Sequence, residues 1–125
     1  MTTALLKKLR YQRGMRIYVT GAPAGFEKEL AALPKDVTRL KSLRAGVDLI
    51  HGFYTRKNRL LKDAPRLRDA LEPGGILWFS YPKGKALGTD LDRDILRESL
   101  ETLGLEAVAI VAVDAEWSAL RCKIQ

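Results

Sequence analysis

Few residues of this chain have reactive chemistry to offer: His51, Cys122, and the alternating carboxylates Asp90, Asp92 and Asp94. His51 is the only histidine, and its imidazole is the one side chain whose ordinary pKa suits proton transfer near neutrality. A general base needs an orienting partner and a metal site needs further ligands, and neither stands near it in the sequence. Midway along an apolar stretch, it reads as a hydrogen-bonded core histidine. Cys122, the only cysteine, excludes an intrachain disulfide, fits a reducing compartment and reads as a buried, inert thiol. The three aspartates alternate as calcium ligands do, yet the glycine and terminal glutamate of a calcium loop are missing. At a helix start, carboxylates serve the helix dipole instead. No catalytic set and no metal set emerges.

The elements that must position these residues alternate. Leu5, Leu6 and Leu9 among basic residues predict an opening helix over Thr3 to Tyr11, ended by Gly14. Met15 to Thr20 reads as a first strand, and Phe26 to Leu33 as a short helix after the turn Gly21-Ala22-Pro23-Ala24-Gly25. Val37 to Lys41 is a weak second strand. Only Ser42 to Gly46 separates it from the third, so it is either very short or not parallel to its neighbour. Val47 to Tyr54 is apolar on both alternating faces, as a central strand covered on each side must be. Arg56 to Leu71 has helical spacing interrupted by Pro65, which predicts a kink or two short helices. Pro73-Gly74-Gly75 then stops the helix ahead of a fourth strand, Ile76 to Tyr81. Thr89, with Asp92 behind it, is placed to cap a helix striped by Leu91, Ile95, Leu96, Leu100 and Leu103. Ala107 to Val113 and Trp117 to Ile124, joined tightly, predict an antiparallel hairpin. The sum is a single α/β domain over residues 1–125, a three-layer Rossmann-like sandwich with a mostly parallel sheet of six strands and a closing antiparallel hairpin.

In such sheets ligands gather outside the carboxyl ends of the strands. That edge would collect Thr20, Gly21, Ala22 and Gly25 after the first strand, Thr55 and Arg56 after the third, and Ser80, Tyr81, Lys83 and Lys85 after the fourth, with Asp90 leaning over it. Small residues, hydroxyls and cations together suit a phosphate or carboxylate.

With 46% hydrophobic and 30% charged residues the composition is that of a globular protein, and its apolar runs are far short of a membrane span. The basic residues within Met1 to Arg13 interrupt what a secretory signal would need, which predicts a cytoplasmic protein. The net charge of +7 is unevenly held, with 15 Lys and Arg against 5 Asp and Glu through Arg66, and 7 against 10 thereafter. Such a split attracts nucleic acid, an anionic ligand or an acidic partner, including a second copy of the chain. Arg56, Lys57, Arg59, Lys62, Arg66 and Arg68 form the densest basic segment, and on a helix they cannot all share one face.

The order of elements resembles a shortened class I S-adenosylmethionine-dependent methyltransferase, through Val47-Asp48-Leu49-Ile50, Leu71 to Leu77 and the final hairpin. Almost the whole chain is also similar to the small bacterial proteins catalogued as domain of unknown function 3052. Gly14-Met15-Arg16, Pro73-Gly74-Gly75, Ser80-Tyr81-Pro82-Lys83, Thr89-Asp90-Leu91 and Trp117-Ser118-Ala119-Leu120-Arg121 carry that likeness. The methyltransferase resemblance implies a glycine-rich turn after the first strand that approaches the cofactor, and an acidic residue ending the second strand to hold its ribose. Here Pro23 sits at the centre of the turn and the second strand ends Arg39-Leu40-Lys41-Ser42. The leading reading is therefore a non-catalytic Rossmann-like module for a small anionic ligand or a protein partner, itself included as a homo-oligomer. The alternatives are a minimal enzyme whose Gly21 turn binds S-adenosylmethionine while Tyr81 or Asp90 positions substrate, and a weak, salt-sensitive nucleic-acid binder.

Overall fold

Successive residues of the central strand point to opposite sides and find an apolar layer on each. A computed structural model describes residues 3–125. Its elements are α1 (Ala4–Lys8), β1 (Arg16–Thr20), α2 (Ala24–Leu30), β2 (Thr38–Arg39), β3 (Val47–Phe53), α3 (Lys57–Ala70), β4 (Leu71–Pro82), α4 (Arg93–Glu101), β5 (Leu105–Ala112) and β6 (Trp117–Ile124), with an irregular 3-10 segment at Lys83–Gly88. From β3, Leu49 and Phe53 join Leu6, Leu9, Phe26 and Leu30 of α1 and α2 and their flanks, while Ile50 packs with Leu60, Leu67, Leu96 and Leu100 of α3 and α4. Each fully buried leucine of this kind contributes roughly 1.5–3 kcal/mol. The result is the three-layer sandwich.

The sheet runs β2-β1-β3-β4-β6-β5. The first four strands in that order are parallel, β6 is antiparallel to β4, and β5 is antiparallel to β6. The second strand is thus very short and parallel to β1. The linker to β3 needs no long crossover, because β2 pairs only with Arg16 and Ile17 at the start of β1 and so ends close to the edge where β3 begins. The hairpin forms as its composition predicts, closed by Asp114, whose Oδ1 accepts from the amides of Glu116 and Trp117 at 2.8 Å each.

Four local expectations are corrected. α1 ends at Lys8, with Arg10 taking the left-handed backbone (φ 67°), well before Gly14. α3 runs as one helix through Pro65 and not as two short helices, and the missing N–H falls on a half-buried flank where water can solvate the freed carbonyl. It ends at Ala70 without help from Pro73-Gly74-Gly75, which instead bulges between the β3–β4 pairs Val47–Leu71 and Leu49–Ile76. A Cβ on Gly75 would stand 2.8 Å from the Glu72 carbonyl oxygen and 3.0 Å from that of Asp48, so the bulge admits no side chain there. The cap of α4 is Asp92, accepting from the Ile95 amide at 2.8 Å, and not Thr89.

Candidate functional site

β1 and β3 end level with each other, Thr20 beside Gly52, and the chain leaves both strands on the side where α3 begins. A cleft of about 680 Å³ opens there. It brings together four of the residues expected at this edge, Thr20, Gly21, Thr55 and Arg56. Gly21 has φ +72°, and a Cβ on it would lie 2.6 Å from the Phe53 carbonyl oxygen. This glycine is required by the close approach of two strand exits, whatever binds beside it.

The floor of the cleft contains residues the sequence reading did not single out. Gly52 leaves room for the ring of Tyr54, which would come within 2.6 Å of a Cβ at that position. The Tyr54 hydroxyl donates to Asp63 Oδ2 at 2.9 Å, and Arg59 Nε donates to the same oxygen at 3.2 Å. Arg66 stands 3.8 Å from the other carboxylate oxygen. Burial, then the bond to Asp63 and its charge, push the Tyr54 phenol well above its ordinary range, so it stays protonated and donates. At about 100° per residue, Arg56, Arg59, Lys62 and Arg66 fall within an arc of about 120° on α3. Four of the six clustered cations therefore share one face while Lys57 and Arg68 fall off it, and Arg56, Arg59 and Lys62 line the cleft.

The remaining expected residues lie elsewhere. Asp90 Oδ1 accepts from the Lys57 amide at 2.8 Å, and Thr89 Oγ1 donates to the Thr55 carbonyl at 2.6 Å, so this turn clamps the start of α3. Ala22 packs on the α1–α2 side, and Gly25 is exposed in the first turn of α2. Tyr81 is buried on the α4 side and pairs with Ser118, and burial raises its phenol. Lys83 follows β4 outside the cleft lining, its amide bonded to the Glu116 carbonyl at 2.7 Å, and Lys85 pairs with Asp92 at 3.3 Å. Ser80 points inward, where its hydroxyl meets His51 Nε2 at 2.6 Å.

That serine and histidine resemble a nucleophile with its base, but the contact is sealed. His51 is 0% and Ser80 1% exposed. The other ring nitrogen, Nδ1, is hydrogen-bonded with the Tyr11 hydroxyl at 3.0 Å. The imidazole stacks on Phe53, centroids 4.3 Å apart, and burial alone drives its pKa down to about 3. Every polar atom of the ring has a partner, as a core histidine requires. Burial likewise pushes the Cys122 thiol up to about 12, which leaves it protonated and unreactive.

The groups around the end of β2 do not fit an adenosine cofactor held in the methyltransferase manner. Arg39 occupies that strand end, and its guanidinium forms a two-pronged bond with Glu27 at 2.5 and 2.9 Å. The carboxylate at this strand end, Glu27, is therefore engaged by a cation. Pro23, at the N-cap of α2, offers no N–H, and the open side of Gly21 faces the Phe53 carbonyl.

Known structures nevertheless share the fold. A methyltransferase dependent on S-adenosylmethionine from Aquifex aeolicus is 19% identical with a TM-score of 0.62, over 97% of this chain and 88% of that one. A TehB-like methyltransferase from Corynebacterium glutamicum is 14% identical with a TM-score of 0.61, over 97% and 85%. Magnesium protoporphyrin IX methyltransferase from Synechocystis PCC 6803, solved with bound SAH, is 11% identical with a TM-score of 0.66, over 98% and 79%. No family model matches the chain, and no curated protein matches it. The fold is that of the methyltransferase-like Rossmann proteins. No helix of the described residues is long and apolar enough to cross a membrane.

Proposed function

We propose that this protein is a non-catalytic, methyltransferase-like binding module that takes a small anionic ligand in the cleft where β1 and β3 meet α3. One observation carries the reading. Among the described residues no carboxylate lies within ion-pair range of Arg56 or Lys62 in the cleft wall, whereas the acid of the floor, Asp63, already faces Arg59 and Arg66. Two free cations beside the hydroxyls of Thr20 and Thr55 favour a phosphate or carboxylate head. No residue in the cleft has the partner set of a nucleophile or a general base.

A second reading, S-adenosylmethionine binding by a minimal enzyme, draws on the fold likeness and is opposed by the Arg39–Glu27 pair. Titration calorimetry with inorganic pyrophosphate and with S-adenosylmethionine separates the two. Pyrophosphate binding that weakens about tenfold or more in Lys62→Glu, the loss of a charge-assisted contact, supports the anion site. Saturable heat from S-adenosylmethionine alone would overturn it in favour of the enzyme. The reading includes a cytoplasmic protein related to the family of domain of unknown function 3052, on the motifs given above. A protein partner, a second copy among them, and weak nucleic-acid binding along the basic face of α3 are the competing uses of the same charge. Nucleic-acid binding is marked by affinity that falls steeply with salt.

A further inference from the structure

At the opposite end of the parallel strands, a second cavity of about 560 Å³ lies between the Leu71–Ile76 bulge and the end of β6. Two sequence motifs with no part in the first cleft meet here, Pro73-Gly74-Gly75 and the arginine that closes Trp117-Ser118-Ala119-Leu120-Arg121. Arg121 is half-buried, and its Nε is shielded from solvent with no hydrogen-bond partner. Among the described residues neither Arg121 nor its neighbour Lys123 lies within ion-pair range of a carboxylate. The acid in the lining, Glu72, has its Oε2 against Gly46, 3.4 Å from where a Cβ there would stand. A buried donor without an acceptor is costly, and a guanidinium is best satisfied by a planar or tetrahedral oxyanion. The rest of the lining is apolar at Leu71, Ile76 and Ile124, and Ile124 is 48% exposed.

We propose that this cavity is a separate binding site for an amphipathic anion. Arg121, assisted by Lys123, holds the oxyanion head, and a short hydrocarbon body covers Ile76 and Ile124. The head can be a carboxylate or a phosphate monoester, since both accept from the outer N–H groups of the half-buried guanidinium, Nε itself being shielded. The site is independent of the cleft at β1 and β3.

The test is a proton–nitrogen NMR titration of the full chain with octanoate, and in a second arm with octyl phosphate. Expected is a saturable shift of the Arg121 Nε–H signal and of the Gly74 and Gly75 amides, in one arm or both, and the arm that responds identifies the head. Arg121→Gln should weaken binding about tenfold or more, Arg121→Lys by less, and Lys62→Glu not at all. No shift at millimolar probe, equal binding by Arg121→Gln, or shifts confined to Thr20 and Thr55 would overturn the proposal. The wild-type Nε–H signal decides the matter even if both arginine variants fail to fold.

Discussion

Two tyrosine-centred polar clusters lie on either side of the same sheet and have opposite fates. On the α1–α2 side, Tyr11, His51 and Ser80 form a neutral chain sealed among Phe26, Phe53 and Trp78. On the α3 side, Tyr54, Asp63 and Arg59 form a charged group at the floor of an open cleft. Their hydrogen bonds are of similar length, so geometry alone does not assign a function. Access to solvent and net charge do. The sealed cluster specifies the core, and the open one leaves cations facing outward.

The largest consequence concerns pH. Unfolded, His51 regains its ordinary pKa of 6.5, while the folded protein holds it down to about 3. As pH falls below 6.5 the unfolded chain takes up a proton that the native state refuses, so stability drops by about 1.4 kcal/mol per unit, approaching roughly 5 kcal/mol by pH 3. Glu27 and Asp92, whose carboxyls are held below their ordinary range by Arg39 and by the Ile95 amide respectively, do not titrate between pH 6.5 and 5. With no second histidine in the chain, the decline between pH 6.5 and 5 therefore reports on His51. Urea unfolding at half-unit steps measures it, and unchanged stability over that interval would mean the cluster is not sealed.

A smaller effect separates two glycines of one turn. Gly21→Ala forces a left-handed backbone on an L-residue and drives Cβ against the Phe53 carbonyl, a loss of about 3 kcal/mol or more. Gly25→Ala adds a methyl to open space in the first turn of α2, and should be neutral or stabilise by about 0.5 kcal/mol. Thermal unfolding of the pair checks this. Equal melting temperatures would remove the claim that the Gly21 backbone is held by β3, and would make that turn available again as a cofactor loop.

How far the sequence exposed this arrangement depended on the range of each signal. The doubly apolar run around His51 and the Asp114 turn are local, and both the central strand and the hairpin stand where their residues place them. The Pro73-Gly74-Gly75 bulge was not legible as such, because a bulge exists only relative to the register of a neighbouring strand. For the same reason Ser80 could not be placed. Whether a strand-end hydroxyl faces a ligand or a histidine turns on a one-residue alternation and on the helix covering that face. The Tyr54–Asp63 contact joins a strand end to the middle of a helix, which no periodicity announces. The shared face of Arg56, Arg59, Lys62 and Arg66 was readable from spacing alone, had Lys57 and Arg68 been set apart first.

The finest form of the comparison sets two carboxylates with arginine partners against each other. Asp63 is 8% exposed and accepts from Tyr54 as well as Arg59, so Asp63→Asn leaves a buried phenol with a poorer acceptor and should destabilise by about 1–3 kcal/mol. Glu27 bonds Arg39 in better geometry, yet both side chains are more than a third exposed, and water replaces whatever is removed. Its carboxyl lies below the usual range because of Arg39, so its contribution is present at neutral pH and is lost as pH falls through that lowered value. Glu27→Gln should therefore shift stability by less than about 1 kcal/mol, and 0.5 M salt should erase most of the difference. Denaturant midpoints for the two variants, each with and without salt, decide the matter. A Glu27 effect as large as that of Asp63 would show that the outer edge at β2 is sealed like the core, and that exposure is the wrong criterion for telling structural polar groups from available ones.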